Sequence, residues 1–162
     1  MKFHMFFAYD KDILDATIND LFLNKPLFEV MENIQKLQDL KKQWNDFSRL
    51  VALAQRPKNI LKAAKVQAIV IEFHQDLLTA ESEKELWKIL GSHRDDLILN
   101  QVQDMTTVAN RCLELFEQPM QRFFSEVMVM DKDERIKNNR LALLNEFNLI
   151  FDQFGDLSKI VL

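Results

Sequence analysis

Residues 98–130 read ILNQVQDMTTVANRCLELFEQPMQRFFSEVMVM. Within them Ile98, Val102, Met105, Ala109, Cys112 and Phe116 step by 4, 3, 4, 3 and 4. That spacing returns to one side of a helix every two turns, and a strand, which alternates every residue, cannot use it. The stretch therefore predicts a long amphipathic helix. Beyond Pro119 the series resumes at Met120, Phe123, Val127 and Met130. The step from Phe116 to Met120 is four where three is due, which predicts a kink at the proline.

The same period recurs upstream. Val30, Leu37, Trp44 and Val51 fall seven apart, and Leu40, Phe47 and Ala54 follow members of that series by three. This predicts one coiled-coil-like helix from Leu27 to about Gln55, interrupted at Pro57. Asn33 is its polar exception, either setting register or lying at the seam edge. Asp10 is a plausible cap for a helix to about Leu23, and Pro26 opens the next. Ile60 to Leu78 is dense in apolar residues and reads as a central helix. Ser82 with Glu85 reads as a capping box, and Gly91 as a place for a break. Asp131 with Glu134 caps a last helix through Ile136, Leu143, Phe147, Ile150 and Phe154, with Arg140 as the polar entry and Gly155 as the stop.

With 162 residues, two Gly and three Pro, the chain has room for one domain and too few turn formers for an all-β fold. Phosphate cradles built on clustered glycines are excluded. The expectation is an all-α, elongated bundle of four or five long amphipathic helices in a single domain over 1–162. Residues 1–9 and 156–162 would be loose termini, although the apolar tail is available to dock.

Net charge is −4, with 21 basic and 25 acidic residues interspersed. Proteins that neutralise many phosphates usually carry a basic face, so no nucleic-acid partner is expected. No stretch approaches the ~18 apolar residues of a transmembrane span. The lone Cys112 fits a reducing, cytoplasmic setting.

Reactive constellations are weak. His93-Arg94-Asp95 with Asn100 has the spacing of a kinase catalytic loop, but a kinase needs a glycine-rich loop this chain lacks. None of His4, His74 or His93 stands three residues after a Glu, the spacing of di-metal bundles. Cys112 sits in an apolar seam and reads as a small hydrophobe. The expectations are no enzyme activity, no catalytic residue, no metal and no cofactor.

Thirteen Phe against one Tyr and two Trp fit either a wide core or an apolar surface for a partner. On the second reading Phe6, Phe7, Phe28, Phe124 and Phe151 form the interaction surface. Val30, Leu37, Trp44, Val51, Ile98, Val102, Met105, Cys112 and Phe116 form helix seams, and stripes of this length predict a homo-oligomer.

A helix ending LLTAES, the restart EKELWKIL and the following LNQVQDMTTVANRCLELFEQ, within about residues 59–118, resemble the phasin family of bacterial proteins. That resemblance implies a non-enzymatic, granule-associated coat whose amphipathic helices lie on a hydrophobic polymer, polyhydroxyalkanoate. The alternative is a helical adaptor, secretion chaperone or effector that binds a protein partner through the same faces.

Overall fold

The computed structural model describes residues 8–19, 24–66, 72–99 and 104–162. Among them there is no strand. Six α-helices run in order: α1 Lys11–Thr17, α2 Leu27–Gln43, α3 Phe47–Ala63, α4 Glu81–His93, α5 Met105–Glu126 and α6 Glu134–Phe151. Short 3-10 turns cover Gln75–Leu77, Arg94–Leu97 and Leu157–Lys159. The all-α fold read from the periodicity is what the chain adopts.

α5 is the central rod, 22 residues long or about 33 Å. Its seam of Met105, Val108, Ala109, Cys112, Phe116, Met120 and Phe123 is buried. α3 and α4 both pack against α5, and α6 closes over α3. Phe116 of α5 and Phe147 of α6 meet edge to face, 5.0 Å between centroids, a favoured aromatic geometry. Phe47, Phe123, Phe151 and Phe154 fill the same core.

Several expected boundaries move. The seam expected from Ile98 starts at Met105, because the Asp104 side chain accepts from Thr107 N at 2.7 Å and caps the helix there. Ile98 stands outside α5 and is 46% exposed; Val102 lies outside the described residues. α5 continues through Pro119 to Glu126. The expected helix from Leu27 to Gln55 is two helices. Trp44 is extended, and Asn45-Asp46 turn the chain into α3. The heptad count survives across this break because both helices bury their stripes in one core. Pro57 sits inside α3 rather than ending it.

The expected helix to Leu78 stops at Ala63. Lys65 follows in the left-handed region, φ 55°. The expected cap at Ser82 lies two residues earlier, at Ala80. Glu83 accepts from Ala80 N at 2.7 Å and from Thr79 N at 2.8 Å. α6 is capped by Asp133, whose carboxylate accepts from Arg135 N at 2.9 Å.

At the end of the chain Leu157 and Ile160 are buried. Asp156 N donates to Ala16 O at 2.8 Å, and Val161 N to Asp12 Oδ2 at 2.9 Å. Gly155 makes this approach possible. Its φ is +120°, and a Cβ there would stand 2.8 Å from Ala16 O, a conformation and clearance that only glycine accommodates.

Candidate functional site

The 3-10 turn Gln75–Leu77 separates two clefts. On one side lies α4. Lys84, Trp87, Lys88 and Gly91 stand at i, i+3, i+4 and i+7 and therefore share one face of that helix. Leu86 and Leu90 point the other way, into the core. With Gln75 and Leu78 the four residues line a cleft of about 550 Å³. The inner side of Trp87 packs on Phe73, 4.2 Å between ring centroids. Lys84 pairs with Glu81 at 2.7 Å, both exposed, and holds that carboxyl below its usual range. Such exposed pairs exchange partners at little cost. Lys88 has no ion-pair partner among the described residues.

On the other side the turn faces α6. This cleft, about 670 Å³, is lined by His74, Asp76 and Leu77 and by Glu134, Arg135 and Asn139 of the first turns of α6. Asn139 is buried; its Oδ1 accepts from His74 N at 2.7 Å. Lys137 pairs with Glu134 at 2.6 Å. Arg135 is exposed, with no ion-pair partner among the described residues. Phe73 and His74, adjacent in sequence, thus bind Trp87 and Asn139 respectively, so one short strap holds the two clefts side by side.

A buried charge cluster fixes this arrangement from below. Arg140 donates to Glu83 at 2.6 Å, to Asp131 at 2.7 Å and to the carbonyl of Met128 at 2.9 Å. It ties α6 to the start of α4 and to the α5–α6 loop. The amide of Asp133, with the Arg140 guanidinium, holds the Asp131 carboxyl below its usual range.

The residues singled out from sequence land elsewhere. Phe28 is 68% exposed at the start of α2. Phe124 is half-buried, with the Arg56 guanidinium 4.1 Å over its ring. Phe151 is 2% exposed, so it is core rather than contact surface. Phe6 and Phe7 lie outside the described residues. Of the seam residues, Leu37, Val51, Met105, Cys112 and Phe116 are buried in this chain's own core, and Val30 and Trp44 pack at its edge. Burial raises the Cys112 thiol to a pKa of about 12. His93 ends α4, and Arg94 pairs with Glu146; Asn100 lies outside the described residues. Among the described residues no three His, Cys, Asp or Glu gather as metal ligands, and no helix is long and apolar enough to cross a membrane.

Sequence reading misses the Lys84–Gly91 stripe because it takes Gly91 only as a place for a break. The i, i+3, i+4, i+7 spacing of two lysines, a tryptophan and a glycine was the available signal. Gln75, Arg135 and Asn139 are brought in only by the tertiary fold.

Comparison with known proteins identifies the setting. Residues 49–160 match the family model described as the DALR anticodon binding domain. The chain is similar to the glycine--tRNA ligase beta subunit of Thermodesulfovibrio yellowstonii, 28% identical over 94% of this chain and 22% of the relative. It is similar to that of Syntrophomonas wolfei, 31% over 93% and 21%, and to that of Lactobacillus gasseri, 31% over 95% and 21%. The chain spans about a fifth of the length of these relatives.

The match overturns the phasin resemblance of residues 59–118, since the same segment lies inside the matched domain. A capped helix restart followed by a long amphipathic helix is a pattern that unrelated bundles share. The granule coat, its hydrophobic polymer partner and the adaptor, chaperone or effector alternative fall with it. So does the expectation of no nucleic-acid partner, which rested on net charge taken over the whole chain. The chain belongs to the DALR anticodon binding domain family.

Proposed function

We propose that this chain is the RNA-recognising domain of a glycine--tRNA ligase beta-type protein, acting in the cytoplasm, and that it binds the anticodon loop of a glycine tRNA. The observation that carries this reading is the family match over residues 49–160, an anticodon binding domain. The two-cleft face of α4 and α6 suits the task. Single-stranded RNA loops are recognised by stacking on aromatic and guanidinium planes, by hydrogen bonds to splayed bases and by cations on phosphates. Trp87, Lys88, Lys84 and Arg135 supply those groups around one strap. The domain contributes recognition; aminoacyl chemistry is assigned to other parts of such a ligase.

The test is fluorescence anisotropy with a labelled RNA hairpin carrying a glycine anticodon loop, against the same stem closed by an unrelated loop. Preference for the glycine loop of about tenfold or more is expected. Equal affinity for both hairpins, or none for either, would overturn the reading.

A further inference from the structure

Gly91 is a glycine that the fold does not require. It lies within α4 and does not adopt positive φ, which among the described glycines belongs to Gly155 alone. A Cβ at position 91 would meet nothing within 4 Å among the described residues. Neither backbone conformation nor packing excludes a side chain there, and glycine inside a helix is unfavourable relative to alanine. What the missing side chain does is leave Trp87 open. Helical side chains lean toward the N-terminus over the preceding turn, so a residue at 91 would lie across position 87. Among the described residues the half-buried indole is thus backed by Phe73 on one side, lines the cleft with the other, and is flanked by Lys84 and Lys88 on the same helical face.

We propose that the uncovered face of Trp87 is a stacking platform for one unpaired RNA base, with Lys84 and Lys88 taking the phosphates on either side of it. This rests on the anticodon-loop reading and gives it a site. Every base has a π-face, so the platform supplies affinity and registers the strand, and it leaves base identity to hydrogen-bonding groups elsewhere.

Two measurements on the full 162-residue chain test it, both with the glycine-loop hairpin. In Trp44→Phe protein Trp87 is the sole tryptophan, and hairpin binding should quench its emission. In Gly91→Leu protein the helix is, if anything, more stable, and the added side chain covers the ring. Affinity should fall about tenfold or more, the scale of one lost stack, with the thermal midpoint unchanged or raised. If wild-type protein binds the hairpin with loop preference while Trp87 emission stays constant and Gly91→Leu binds equally well, the platform is wrong and the anticodon-loop reading stands. If wild-type protein does not distinguish the loops, that reading fails and the platform fails with it.

Discussion

Cys112 illustrates how a single position is read correctly from its neighbours. The apolar seam on either side predicted a buried thiol, and burial raises its pKa to about 12 from an ordinary 9.0. The unfolded chain gives up that proton first. Stability contributed by the neutral thiol is thus present below pH 9 and is lost as pH rises toward 12, by roughly 1.4 kcal/mol per pH unit. Cys112→Ala should show a shallower loss of stability on the alkaline side in urea titrations. Native protein at pH 8 should also resist a thiol-labelling reagent until it is unfolded. Arg140 is the opposite case. Its place in the last helical seam was legible, but its partners Glu83 and Asp131 lie 57 and 9 residues away along the chain, and no local pattern announces them. Arg140→Met would leave the Glu83 carboxylate buried without a cation. It should cost about 3–5 kcal/mol in equilibrium unfolding, part of it recovered when Glu83→Gln is added.

Among the elements, type was easier to read than boundary. Helical periodicity reports which residues face the core, and that survives a turn, as α2 and α3 show. Asn45-Asp46 carried the turn signal, yet the heptad count ran through it. Pro57 reads as an interruption, yet it is absorbed inside α3, whose remaining faces are held by the core; Pro119, which reads as a kink, also lies within a continuous helix. The glycines differ in what they do. Gly155→Ala should strain the backbone at φ +120° and drive a Cβ against Ala16 O. A loss of about 1–3 kcal/mol is expected, with faster hydrogen exchange at Asp156 and Val161 than in the α5 core. Gly91 has no such constraint, and the same substitution there should be neutral or stabilising.

For the molecule as a whole, the fold was legible and the role was not. Core stripes are written as spacing, whereas the cleft face depends on a strap that brings Phe73 to Trp87 and His74 to Asn139. Net charge argued against a nucleic-acid partner, an expectation the family match overturns, because it sums over all surfaces. The matched domain begins at residue 49, yet Ile13, Ala16, Ile34, Leu37 and Leu40 of α1 and α2 share the core of the later helices. A chain starting at Arg49 should therefore lose its cooperative thermal transition or aggregate, as monitored by circular dichroism and light scattering.

The latch between α1 and the C-terminal turn has a topological corollary. Asp12 and Ala16 each take a backbone N–H from the last seven residues, so segments far apart along the chain are neighbours in space. The packing sets α1 beside the C-terminal turn. A circular permutant, with Leu162 bridged to Ala8 by a short flexible linker and the chain reopened at the exposed Asn45, should assemble the same bundle.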